Sequence, residues 1–424
     1  MSAQDMVIQN VLWQGRVMDL FISRGKIQGL QAAGRSSSGE KYERREGGGL
    51  CLLPGLTDSH VHLREPGQEY KEDIASGLAA AARGGFCRVL AMANTDPVND
   101  SPEVTRFMLA RARKAHPQGP QLLPVGGLTR GLAGQELAPF QELAAAGCIA
   151  FSNDGLPVKD NQVFLKGLRQ SRATGLRVID HCEDPDLAGG GVINQGQASR
   201  RLGLRGQPTL AESLQVARDI LTAAYLDVPV HLAHISCRES VELIAWAKQK
   251  SIRVSAETCP HYLLFDETSL RARQSLAKVN PPLRTHDDVL AVRQAVRERV
   301  IDILVTDHAP HAQYEKERPL EEAPFGISGL DTGLALTWSL VQEGELSLDD
   351  LIRCWGQRPA EIFNLPRNRF RPGDPADFVL FDPEAAWKVT PENMVSRGKN
   401  TPCLGMELQG RVRALYIKGR DVLS

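Results

Sequence analysis

The 424-residue chain lacks an excess of charge of either sign: its formal net charge is -1. That balance gives no electrostatic reason to expect nucleic acid or an anionic membrane as partner. It also lacks any apolar run approaching the roughly 20 residues needed to span a bilayer. Its first residues, Met1-Ser2-Ala3-Gln4-Asp5, have neither the basic start nor the apolar stretch of a secretory signal. The eight cysteines are scattered and form no C-x-x-C pair. A chain this large needs no disulfide staples, so reduced thiols and a cytoplasmic location are expected. No G-x-G-x-x-G follows an apolar run, and no 20–50-residue repeat recurs.

What is present is ample core material, 42% hydrophobic residues. The middle of the chain alternates β-rich apolar runs with segments of helical period. Eight runs can be counted: 56–63, 86–95, 121–129, 148–154, 176–183, 229–236, 252–261 and 301–310. Helix-period segments lie between them at 103–116, 212–226, 238–250 and 287–299. Alternation of this kind implies a parallel sheet. Eight repeats favour a closed (β/α)₈ TIM barrel over a doubly wound sheet, which the missing glycine fingerprint also disfavours. The first ~55 and last ~50 residues read as short strands, including a strand–turn–strand from Met18 to Leu30 around Arg24-Gly25-Lys26, with 31–49 as a loop. Neither end holds enough apolar material for its own core. The expected division is a barrel over 55–369 and a small β-sandwich built from 1–54 and 370–424.

The densest chemistry is in Asp58-Ser59-His60-Val61-His62-Leu63-Arg64. On a strand, residues i and i+2 share a face, so His60 and His62 can aim at one metal ion. Arg64 follows in the same alternation, a fixed cation suited to a substrate carboxylate. The ends of other runs are polar too: Asn94-Thr95, Asn153-Asp154-Gly155, Asp180-His181-Cys182-Glu183, His234-Ile235-Ser236, Cys259-Pro260-His261 and Thr306-Asp307-His308. Taken singly, Asp154 before Gly155 reads as a turn and Asp307 before His308 as a helix cap. Taken together, six of the eight runs place His or Asp at the end that forms one rim of a parallel barrel, where active sites of that fold lie. His116, His231 and His286 read as structural or surface residues. His231, three residues before His234, would point to the opposite face of a strand.

These residues resemble the amidohydrolase superfamily and, within it, the type I dihydroorotases. The likeness runs from the N-terminal strands to the C-terminal ones. It is carried by Asp58-Ser59-His60-Val61-His62-Leu63-Arg64-Glu65-Pro66-Gly67, Ala93-Asn94-Thr95, Asn280-Pro281-Pro282-Leu283-Arg284, Thr306-Asp307-His308-Ala309-Pro310-His311 and Pro324-Phe325-Gly326-Ile327-Ser328-Gly329-Leu330. The resemblance implies zinc-dependent interconversion of N-carbamoyl-L-aspartate and dihydroorotate in pyrimidine biosynthesis. It implies one zinc on His60 and His62, a second on His181 and His234 where the centre is binuclear, Asp154 bridging, and Asp307 as ligand and catalytic acid/base. Arg64, Asn94 and His311 would hold the substrate carboxylate, with His62 beside them. Asn280 and the backbone at Phe325 and Gly326 would hold the ring amides.

Asn153 departs from the Asp usual before the liganding Asp, which implies altered tuning around the metal with the ligand kept. Cys237 stands where Thr is commoner, with no catalytic consequence. Many relatives bridge their metals with a carboxylated lysine; here Lys159 lies five residues past Asp154. That favours dihydroorotase over hydantoinase, dihydropyrimidinase or allantoinase. A homo-oligomer and a complex with aspartate transcarbamoylase are compatible with the family. A non-catalytic subunit of the transcarbamoylase is disfavoured, because every ligand position is filled. Residues 312–325 flank the site as a mobile lid or a solvated loop.

Overall fold

The computed structural model describes residues 5–34 and 42–424. Eight parallel strands follow one another in chain order: Leu56–Val61, Phe86–Ala91, Gln121–Gly127, Ala150–Ser152, Arg177–Asp180, Val230–Leu232, Val254–Thr258 and Ile303–Leu304. The ring is completed where the chain past the eighth strand returns to the first. Val61 bridges His308 in parallel, and His62 N–H donates to the His308 carbonyl at 2.8 Å. The barrel is therefore closed, as the strand count predicted.

Asp58 clasps this seam. Its carboxylate accepts from Thr306 N–H at 3.1 Å and from Thr306 Oγ1 at 2.5 Å, with both residues buried. The intervening helices occupy Pro102–Ala115, Thr209–Leu226, Arg238–Gln249 and His286–Arg297, close to their expected bounds. Local chemistry starts them: Ser101 caps the first with Pro102 at its first position, and Thr285 and Asp288 form a capping box on the last.

Several strands stop short of the apolar runs that announced them. The sixth ends at Leu232 and the eighth at Leu304. Just beyond, His234 and Asp307 take φ of 34° and 46°, and Arg64 takes 60° past the first strand. Such left-handed backbone costs a non-glycine residue on the order of 1–3 kcal/mol and concentrates at functional sites.

Strands from both chain ends pair into one further sheet. Its order is Arg420–Asp421, Glu407–Ile417, Phe378–Lys388, Cys51–Pro54, Met6–Trp13, Arg16–Ser23 and Lys26–Ala32. The last two are joined at Arg24-Gly25, both with positive φ, as a tight two-residue hairpin requires. The expected loop over 31–49 needs correction. Strand Lys26–Ala32 runs into it, and Glu43–Glu46 pairs in parallel with Met6–Trp13, whose edge was open to a further partner. Residues 35–41 lie outside the described residues.

The sheet is apolar on both faces, by strict alternation. Leu53, Val379 and Leu415 lie in register and pack into the barrel core. Leu52, Leu380 and Ala414 lie one residue along and pack into a separate cluster with Ile8, Leu20 and Ile22. Phe381 lies at the junction, 1% exposed and edge-on to Trp338 at 5.4 Å. Gly410, at φ 94°, leaves the room its ring needs, since a Cβ there would collide with it. Phe381→Ala is expected to cost about 3–5 kcal/mol in urea unfolding. A loss below about 1 kcal/mol would show that the terminal sheet does not brace the barrel.

Candidate metal centre

Six side chains predicted from sequence converge at or just past the C-terminal ends of the strands. The Asp154 carboxylate lies among four histidines. Its Oδ1 is 3.3 Å from His60 Nε2 and 3.4 Å from both His181 Nδ1 and His234 Nε2, and its Oδ2 is 3.4 Å from His62 Nε2. Asp307 Oδ1 lies 3.3 Å from His62 Nε2 and 3.7 Å from His60 Nε2. His181 Nδ1 and His234 Nε2 are 2.9 Å apart. All six residues are buried. The turn and cap readings of Asp154 and Asp307 therefore miss what their carboxylates face.

Within this cluster, His60, His62 and Asp307 bring donor atoms together as one triad, and His60, Asp154 and His234 as another. Imidazole nitrogens with carboxylate oxygens are the donor set zinc prefers. His60 Nε2 is buried without a hydrogen-bond partner, although it faces two carboxylates. An orphaned nitrogen in a ring of donors fits a cation between them.

The electrostatics suit the same occupant. Burial disfavours the Asp154 carboxylate, but the charge of His60 and hydrogen bonds from His181, His234 and His60 hold its pKa well below the usual range. Burial works likewise against Asp307, yet hydrogen bonding from His62 and the charges of His60 and His234 hold it at about 2. Asp307 is thus a carboxylate at neutral pH, the form that can ligate a cation.

A second layer, which sequence reasoning missed, orients the ligand rings. Glu257 Oε1 lies 2.7 Å from His60 Nδ1, and its Oε2 lies 2.9 Å from His231 Nε2. His231 also reaches Ser255 Oγ at 2.8 Å, so it is structural, as expected, and buried inside the barrel. A lone glutamate within the seventh apolar run, two residues from Ser255, was the available signal. Asn94 Oδ1 lies 2.8 Å from His62 Nδ1 and so fixes that ring too. Of the other histidines read as structural, His116 reaches the Ala75 carbonyl at 2.9 Å, and the ring of His286 is solvent-exposed.

Asn153 anchors the loop that carries Asp154. Its Oδ1 accepts from Thr129 N–H at 2.9 Å, and its Nδ2 donates to Thr129 Oγ1 and to the carbonyls of Leu132 and Leu156. An aspartate can accept but cannot donate to two carbonyls.

Beside the cluster lie the expected substrate contacts. Arg64 Nε donates to the Pro310 carbonyl at 3.2 Å, and its Nη2 is 3.5 Å from His311 Nε2. Burial lowers the guanidinium to about 10, which leaves it charged near neutral pH. Burial and the nearby cations Arg64, Lys71 and Lys316 push His311 down to about 2, so it faces the site as a neutral ring. Its Nε2 lies 2.8 Å from the Phe325 carbonyl. Asn280 Nδ2 donates to Glu183 Oε2 at 2.7 Å and lies 3.4 Å from His181 Nε2. The Gly326 N–H is engaged by the Lys278 carbonyl at 3.0 Å.

The flanking segment is not a freely solvated loop. Buried Lys316 donates to the carbonyls of Pro324 and Gly326 at 2.8 and 3.0 Å, and Lys278 donates to Leu320 and Glu321 at 2.6 and 3.2 Å.

Two substitutions test this layer. Glu257→Gln is expected to weaken metal binding about 10- to 100-fold in chelator competition; unchanged affinity would remove Glu257 as the residue that orients His60. Asn153→Asp is expected to cost about 1–3 kcal/mol in urea unfolding, by setting a carboxylate against two carbonyls. An unshifted midpoint would mean that the amide's donor bonds do not matter.

Residues 49–240 match the family model described as dihydro-orotase-like. A dihydroorotase of Syntrophus aciditrophicus is 44% identical over 96% of this chain and 94% of its own length. One of Geobacter metallireducens is 41% identical over 96% and 95%. Among solved structures, L-hydantoinase from Arthrobacter aurescens superposes with a TM-score of 0.87 at 22% identity, covering 100% of this chain and 96% of its own. Dihydropyrimidinase from Brevibacillus agri gives 0.82 at 21%, covering 99% and 95%. At that identity the structural likeness establishes the barrel fold alone. The sequence likeness across nearly the full length goes further, and the chain belongs to the dihydroorotase family of amidohydrolase-fold proteins.

Proposed function

We propose that this chain is a zinc-dependent dihydroorotase. It interconverts N-carbamoyl-L-aspartate and dihydroorotate by opening and closing a cyclic amide. The observation that carries the reading is the meeting of a carboxylate–histidine cluster with a buried, charged arginine on one barrel rim. Full-length similarity to dihydroorotases supports the substrate.

His60, His62, Asp154, His181, His234 and Asp307 would hold one or two zinc ions. When bound, zinc supplies Lewis acidity that makes water nucleophilic near neutral pH. The chain's own residues do the rest. Asp307 Oδ1 takes the proton that water loses as it attacks the ring carbonyl, and returns it to the ring nitrogen as the C–N bond breaks. In the biosynthetic direction it removes the proton from the carbamoyl nitrogen.

Arg64 pairs with the carboxylate that does not react and so fixes the ring against the centre. Its backbone at φ 60° and its bond to the Pro310 carbonyl hold the guanidinium in place. Asn94 and neutral His311 complete that end of the pocket. Asn280 and the Phe325 carbonyl would face the ring amides, whereas the Gly326 N–H is taken by the Lys278 carbonyl and is not free for that role. Glu183, bonded to Asn280, sets the orientation of its amide.

Among the described residues no helix is long and apolar enough to cross a membrane. A homo-oligomer or a complex with aspartate transcarbamoylase is compatible with this reading.

Metal-free protein is expected to be inactive on dihydroorotate and to recover on addition of zinc; turnover without bound metal would overturn the proposal. Hydantoin and allantoin are expected to be poor substrates in the same assay, and faster turnover of either would reassign the substrate. Asp307→Asn is expected to lower kcat about 10²- to 10⁴-fold with metal retained. Arg64→Lys should act mainly through misplaced substrate, and unchanged kinetics would remove Arg64 from the site.

A further inference from the structure

A second site lies at the opposite end of the barrel from the metal centre. A cleft of about 960 Å³ opens between the barrel and the terminal sheet. Its barrel wall includes Arg88, in the second strand, and Gln121, which begins the third, so it sits by the N-terminal strand ends. Its other walls are the hairpin tip Arg24-Gly25-Lys26, the turn Lys418–Arg420, and the end of helix Pro102–Ala115 with the residues just after it.

The charge of the lining is one-sided. Arg24, Lys26, Arg88, Arg113, Lys418 and Arg420 face the cleft, with Asp377 as the one carboxylate among its lining residues. That carboxylate is already committed: its Oδ2 accepts from Arg88 Nη2 at 2.6 Å, and its Oδ1 accepts from Lys418 N–H at 2.8 Å. Among the described residues no carboxylate pairs with Arg24, Lys26, Arg113 or Lys418. On a chain of net charge -1, four unmatched cations around one hollow are a local excess that a ligand can neutralise.

The rest of the lining narrows the ligand. Leu109, Leu122, Ile417, Pro117 and Pro120 supply an apolar surface beside the cations. The volume lies at the upper end of the ~300–1,000 Å³ range of small-molecule sites. We propose that the cleft binds an organic polyphosphate: a compact chain of phosphates among the cations, with an attached apolar or aromatic group on the Leu109–Leu122 side. A polyphosphate concentrates several negative charges in one small molecule, which suits six cations facing one carboxylate better than the one or two carboxylates of dihydroorotate and N-carbamoyl-L-aspartate. The site shares no residue with the metal centre, so this inference stands independently of the proposed activity.

The test is calorimetric titration of the full-length, zinc-loaded protein with ATP and with inorganic tripolyphosphate. One ATP per chain is expected, bound more tightly than tripolyphosphate, with the affinity falling as salt rises. Arg113→Gln combined with Lys418→Gln should weaken ATP binding about tenfold or more and leave dihydroorotate turnover in the absence of ATP unchanged. No ATP binding, binding undiminished in the double variant, or displacement of ATP by dihydroorotate would overturn the proposal. The last two outcomes would mark capture by the metal centre instead. Equal affinity for ATP and tripolyphosphate would overturn the role given to the apolar wall.

Discussion

The seam between residues 58–62 and 306–308 is the constraint on which the rest depends. A parallel barrel must return to its first strand, and here the return is made by the parallel bridge of Val61 with His308, by the bond from His62 N–H to the His308 carbonyl, and by the Asp58–Thr306 clasp. That junction places Asp307 within 3.3 Å of His62, although some 250 positions of chain lie between them. Were the sheet open, its first and last strands would be its two far edges, and the histidine pair would have no aspartate beside it. The terminal sheet braces the same barrel from outside, because its alternating faces divide their apolar side chains between two cores.

The centre itself is a buried concentration of charge that persists because each member is answered. Asp154 is surrounded by imidazoles, and His60 is held between Asp154 on one side and Glu257 on the other. Burial opposes the charged form of His60, and the two carboxylates overcome it and raise its pKa well above the usual value. The arrangement is costly without a cation, because it leaves a ring nitrogen without a partner. Strained backbone at Arg64, His234 and Asp307 adds to that cost and sets the directions of three side chains that matter.

Much of this was readable from the chain. Eight apolar runs with helical segments between them implied the barrel, and the polar residues at their ends named the six that meet. Each of those signals is local: a period of two, a period of 3.6, and a polar residue at a run's end. The reading was weaker where structure departs from regular strand. The parity argument that set His231 opposite His234 assumed a strand over both, but the strand ends at Leu232 and His234 turns to φ 34°. Glu257 and Glu183 went unread because His60 and Asn280 are far from them in sequence, and the bonding of Asn153 because it joins the loops after two neighbouring strands. The loop assigned to 31–49 partly became strand for the same reason, since Glu43–Glu46 is defined by pairing with Met6–Trp13.

By itself the sequence determined the kinds of element, their order and the identity of the donor residues, because periodicity and residue chemistry are properties of short windows. Only the tertiary structure decided which donors share His60, which carboxylate orients which ring, and that the cations of two turns and a helix end gather around one cleft. Those are matters of distance between segments. Distances are set when the barrel closes and the terminal sheet packs against it, and no local pattern encodes them.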